Sequence, residues 1–191
     1  MPDGPYAAHS NIFWGGNMMW ILLIIILAVA AILIMGAMQS AAFSVVREAD
    51  IKATPAKVFA QINDFHNWSA WSPWEKMDPD LKRTFTGAAS GVGSKYAWIG
   101  NKKVGEGNME ITHSEASKRM QLDLHFIKPF QADNVTEFTL VPATGGTHVK
   151  WEMRGNKPFM MRVMSIFMDM DKIVGKDFEA GLSNLKSIVE K

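Results

Sequence analysis

The sequence predicts an α+β domain carried behind one transmembrane helix, and three observations point to it. An unbroken apolar run occupies residues 18–38, period-2 alternation fills much of residues 43–155, and one helical apolar stripe runs from Pro158 to Glu190. The chain has 191 residues, 48% of them hydrophobic, with a formal net charge of +1. A compact domain takes about 100–150 residues, which leaves room for one domain and an appendage. The charges are unevenly placed: after Asp3 no Asp, Glu, Lys or Arg occurs until Arg47. The C-terminal part therefore holds all 20 basic and 18 of the 19 acidic residues. Such a balance argues against bulk nucleic-acid binding, which needs a basic footprint. The absence of Cys excludes disulfides, thiolate metal sites and a Cys nucleophile.

Residues 18–38 (MMWILLIIILAVAAILIMGAM) contain no charged or strongly polar side chain. As a helix they span about 31 Å, close to the hydrocarbon thickness of a bilayer. Trp14 and Trp20 flank the start, where indoles favour the headgroup level. A cleaved signal peptide would carry a basic n-region, and the flank at 1–17 has no Lys or Arg. Residues 18–38 are therefore expected to anchor a single-pass protein. Arg47, Lys52 and Lys57 follow the span and none precedes it, which favours a cytoplasmic C-terminal domain. They alternate with Glu48 and Asp50 inside the domain, however, so its side stays open.

After a short link at 39–43, FSVVREADI (Phe43 to Ile51) has strand character. Thr54-Pro55 reads as an N-cap followed by proline at the first helical position, opening a helix whose apolar face is Val58, Phe59 and Ile62. Strands are predicted at 82–87, 94–99, 106–113, 119–130, 135–142 and 147–155. Short turns join them, which implies an antiparallel meander. From Pro158 a long helix is predicted, with Val163, Phe167, Met170, Val174, Phe178, Leu182, Leu185 and Val189 on one stripe. A helix of that length needs a large partner, and a bent antiparallel sheet wrapped around it provides one.

Alternation sorts the strand residues by face. Tyr96 and Trp98; Met109, Ile111 and His113; Leu122, Leu124 and Phe126; Phe138 and Leu140; and Val149, Trp151 and Met153 share the inner face. Trp68, Trp71 and Trp74 recur every three residues beside Pro73. Met160, Met161, Met164, Met168 and Met170 surround the start of the last helix, and flexible thioethers suit irregular partners. By themselves these groups are equally what a packed core requires.

The helix start at Thr54-Pro55, DFHNWSAWSPWEKMDPD (Asp64 to Asp80), GEGNMEIT (Gly105 to Thr112) and FMDMDKIVGKDFEAGLSNLK (Phe167 to Lys186) together resemble the SRPBCC superfamily, in its polyketide cyclase/dehydrase-type branch. The resemblance covers roughly residues 44–190 and leaves out the apolar helix. It implies a START-like helix-grip fold with a deep apolar cavity between sheet and helix, and binding of lipids, polyketides or other hydrophobic ligands. The pocket is then expected to involve Trp68, Trp71, Tyr96, Trp98, Met109, Ile111, Leu122, Leu124, Phe126, Phe138, Leu140, Val149, Trp151, Met153, Phe167 and Met170. The resemblance implies no single reaction and carries no catalytic motif.

Chemistry on this scaffold would need ionisable groups facing the cavity. By alternation His113 is the clearest ionisable group on the inner face and Tyr96 the clearest phenol. His9, His66, His125 and His148 are scattered without metal-ligand spacing, and no phosphate loop or nucleophile elbow occurs, so no metal or cofactor is expected. Asp64, Asp78 and Asp80 read as caps and turns. The leading expectation is a membrane-anchored protein binding a hydrophobic, lipid-like or polyketide-like ligand. The alternatives are a cyclase- or dehydratase-like enzyme using His113 or Tyr96, and a ligand-free interaction module docking through the Met-rich helix start.

Overall fold

Seven strands form one antiparallel sheet in the order β1-β7-β6-β5-β4-β3-β2, and a C-terminal helix crosses its inner face. The computed structural model describes residues 13–191; residues 1–12, with His9, and the indole of Trp14 lie outside the described residues. Helix α1 (Phe13–Met38) contains the apolar run, and from Met18 to Met38 it is almost entirely exposed. Strand β1 (Ala42–Ile51) follows, then α2 (Pro55–Ile62), where the Thr54 side chain accepts a hydrogen bond from the Lys57 amide. A compact aromatic segment comes next, with short turns at Phe65–Asn67 and Pro73–Lys76 flanking α3 (Trp68–Trp71). The meander is β2 (Lys82–Gly87), β3 (Ser94–Ile99), β4 (Glu106–Glu115), β5 (Arg119–Lys128), β6 (Ala132–Ala143) and β7 (Gly146–Asn156). Strand β7 pairs back with β1 from Ala42–Asn156 to Ile51–Thr147.

The helix predicted without a break from Pro158 is two helices, α4 (Phe159–Met164) and α5 (Met170–Val189). They pack on different surfaces, α4 against the end of α1 and α5 against β1 and the aromatic segment. Asp169 takes an extended conformation at the break, and its carboxylate caps α5 by accepting from the Lys172 amide. Phe167, expected on the stripe, falls in the break and is 70% exposed.

An aromatic column seats α5. The ring of Trp151 stacks on Phe178 at 4.0 Å and 9° between planes, and its other neighbour Phe138 lies at 4.7 Å. Trp71 and Trp74 meet Trp151 edge-on, an arrangement that ring quadrupoles favour. Asn184 on α5 donates to the Trp71 carbonyl at 3.0 Å, and the Trp68 indole donates to the Ile62 carbonyl. At the outer edge Arg47 bridges Glu179 at 2.7 Å and Asp171 at 3.1 Å, passing beneath Gly175, where any Cβ would strike its guanidinium. Arg47, one of the three cations after the span, is thus engaged within the domain.

Gly181 brings α5 down onto Trp151: a Cβ there would lie 2.8 Å from the indole and 3.3 Å from Pro73. The stacked indole has no room to yield. Gly181→Val is expected to destabilise the domain by about 1–3 kcal/mol through overpacking, read as a lowered Tm with secondary structure retained.

Candidate ligand cavity

The column fills only one part of the space between sheet and helix. Beside it lies a cavity of about 310 Å³, walled by β1, the aromatic segment, β3 to β7, α4 and α5. Ten residues that the sequence pointed to lie on its wall: Trp68, Tyr96, Trp98, Met109, Leu122, Leu124, Phe126, Trp151, Met153 and Met170. Trp71, Ile111, Phe138, Leu140 and Val149 are buried in the packed core away from it, and Phe167 lies outside. Pleating brings the buried strand residues to one face, and the aromatic column fills one part of that face while the rest stays open.

His113 is exposed, not inward-facing. A register irregularity between Ile111 and His113 against β5 breaks the alternation just before it, because Ile111 pairs with Leu122 and His113 with Gln121. His113 therefore has no access to the cavity.

Tyr96 does face the cavity, in a network the sequence did not reveal. Its phenol donates to Glu75 Oε1 at 2.5 Å, while Arg83 Nε donates to Glu75 Oε2 at 2.6 Å. Glu75 is nearly buried, its side chain 7% exposed, and Arg83 also holds the Glu75 and Leu81 carbonyls. Burial, reinforced by the Glu75 carboxylate, pushes the Tyr96 phenol up, so it keeps its proton and acts as a donor. The hydrogen bond to Glu75 likewise raises the Arg83 guanidinium. Glu75 follows Trp74 directly within Pro73–Lys76, and a charge inside an aromatic phrase was the available signal. Asp177 is the other carboxyl on the wall; burial pushes it up, partly opposed by the Trp74 indole.

Most of the remaining wall is apolar or aromatic, including Phe43, Val45, Trp74 and Val174, which alternation and the stripe had not assigned to a pocket. Asn134 Oδ1, Thr136 Oγ1 and Trp151 Nε1 belong to wall residues, and these atoms pair with no other protein group among the described residues. The exposed lining residues, Lys103, Lys128, Pro129 and Phe130, mark the mouth between the β3–β4 and β5–β6 turns. Among the described residues no cluster of three His, Asp or Glu side chains has metal-binding geometry.

A family model described as polyketide cyclase/dehydrase and lipid transport matches residues 42–190. The chain belongs to that family. Its match begins with β1 and ends with α5, leaving α1 outside. Among solved structures, the family fold recurs in protein MLL2253 from Mesorhizobium loti, 22% identical with a TM-score of 0.57 over 78% of this chain and 97% of that one. Protein CV1439 from Chromobacterium violaceum is 14% identical, with a TM-score of 0.58 over 78% and 97%. CalU16 from Micromonospora echinospora is 18% identical, with a TM-score of 0.53 over 78% and 74%. These are likenesses of fold. No curated protein matches the chain significantly.

Two predictions follow from the cavity's polar groups. Glu75→Ala strips the Arg83 guanidinium and the Tyr96 phenol of their shared acceptor, and is expected to cost about 2–3 kcal/mol. Glu75→Gln, which keeps one acceptor, should recover part of the lost Tm. The second concerns pH. The native Asp177 carboxyl titrates above its ordinary 3.8, so the folded state binds the proton more tightly than the unfolded chain. Stability from this group is lost as pH rises from about 4 through the native value. Asp177→Asn is therefore expected to raise Tm at pH 7, with the gain disappearing below about pH 4, in a melting series across that range.

Proposed function

We propose that this protein is a single-pass membrane protein whose helix-grip domain holds a hydrophobic, lipid-like ligand beside the bilayer. The observation that carries this reading is an open apolar cavity in a domain that begins three residues after an exposed helix long and apolar enough to cross a membrane. Chain reach keeps the domain within about a nanometre of the end of that helix. The lipid-transport description of the family supports the same class of ligand. Binding would draw on burial of apolar surface, about 25 cal/mol per Å² before association costs. The Tyr96–Glu75–Arg83 network puts polar atoms on the wall for the polar end of such a ligand: the Tyr96 proton is committed to Glu75, which leaves the phenol oxygen to accept from a ligand hydroxyl.

The same network supports a second reading, a cyclase- or dehydratase-like activity in which Tyr96 donates a proton to a small apolar substrate. It is the weaker one, since no free base stands beside Tyr96 and His113 is exposed. An interaction module with a filled core is disfavoured by the open cavity.

The test is native mass spectrometry of the full chain released from nanodiscs of defined phospholipid. The wild type is expected to retain a bound lipid. Leu124→Trp, placed on a half-buried wall position, should fill the cavity and abolish the adduct while leaving the near-UV circular dichroism of a folded domain. An adduct that survives Leu124→Trp would sink the assignment of the cavity as the ligand site.

A further inference from the structure

Helix α4 contributes no buried residue to the core, yet it is fixed at a definite place. It packs against the last turn of α1: a Cβ on Gly36 would lie 2.5 Å from the Val163 side chain, and Arg162 Nη1 donates to the Ala37 carbonyl at 3.3 Å. Gly36 is buried in a span, Met18–Met38, otherwise almost entirely exposed. If Met18–Met38 crosses the bilayer, its last turn lies where hydrocarbon gives way to headgroups. The contact with Gly36 then holds α4 at that depth.

The free surface of this segment matches that environment. Phe159, Met160, Met164, Phe167 and Met168 are exposed, from 36% to 70%, although their side chains are large and apolar. From Lys157 to Met168 the sequence carries two basic residues, Lys157 and Arg162, and its first acidic residue is Asp169, where the turn ends and the carboxylate caps α5. An apolar face with basic residues at its flank is the pattern of a segment lying in the plane of an anionic membrane surface. The segment also borders the cavity, since Met161 lines it, and exposed Phe130 and Lys103 stand at the mouth.

We propose that α4 and the turn after it lie in the headgroup–acyl boundary of an anionic bilayer and turn the cavity mouth toward lipid. Ligand then passes between membrane and cavity without crossing water. This rests on the membrane-spanning reading of α1.

The chain has no cysteine, so single cysteines introduced at Leu27, Met160, Phe167 or Val92 can each carry one nitroxide. Leu27 is mid-span, and Val92 is an exposed residue just before β3, near the end of β4 far from the mouth. The full chain is placed in nanodiscs of phosphatidylcholine alone or mixed with phosphatidylglycerol. Collision with oxygen relative to a water-soluble nickel chelate then reports depth. Leu27→Cys should read as deep in lipid. Met160→Cys and Phe167→Cys should read as shallowly immersed, severalfold richer in oxygen contact than Val92→Cys, and more so with phosphatidylglycerol. Adding Lys103→Glu and Lys157→Glu should remove that lipid dependence. If Leu27 is deep while positions 160 and 167 match Val92, the docking proposal is overturned and the spanning reading stands. If Leu27 itself is in water, the spanning reading fails and the docking falls with it. Equal immersion in both lipid mixtures would overturn the requirement for anionic lipid.

Discussion

The face-to-face contact of Trp151 with Phe178 is the interaction on which the rest of the domain depends. It joins β7, the strand beside the β1 edge, to α5, and it requires Gly181 one turn further along the helix to let the backbone approach the indole. Phe138 supports the indole from the sheet, and Trp71 and Trp74 close on it from the side. With that end of α5 held down on aromatic rings, the sheet can bend around it. The other end, near Met170 and Val174, stays lifted over open space. A close-packed interior normally leaves few voids larger than a water molecule, so a cavity of about 310 Å³ is a feature the aromatic column has to hold open.

The charged groups are arranged around the same division. Arg47 clamps α5 to the edge of the sheet through Asp171 and Glu179, outside the core. Glu75, Arg83 and Tyr96 satisfy one another at the cavity wall, which lets a carboxylate stand almost buried beside apolar surface. Asp177 has no such cation and is disfavoured in its charged form by burial. The wall therefore carries one carboxylate that its partners satisfy and one that burial disfavours, a local cost set by keeping polar groups beside open apolar space.

Much of the architecture was legible in the sequence because its signals are local. Thr54-Pro55 caps and starts α2, and the meander follows alternation and turn residues with only small changes at the strand ends. Local signals failed where a distant partner intervened. Val163 and Phe167 continue the apolar stripe in register, but Val163 packs on Gly36 of α1 while Phe167 falls, largely exposed, in the break between α4 and α5. His113 follows Met109 and Ile111 in strict alternation, yet the irregularity against β5 leaves it exposed. Trp71 and Trp74 look alike in sequence, and only the first is fully buried in the core while the second also borders the cavity.

By itself the sequence determined most of the inner face, His113 being the exception, the helix-grip architecture through its resemblance, and an apolar helix of bilayer length, because periodicity, capping and hydropathy are properties of neighbouring residues. Tertiary structure decided which inner-face residues border open space, which carboxylate meets Tyr96, and where α4 rests. Those outcomes depend on pairs such as Trp151–Phe178, Glu75–Tyr96 and Gly36–Val163, whose members lie at least twenty residues apart and meet only after the sheet has bent around α5.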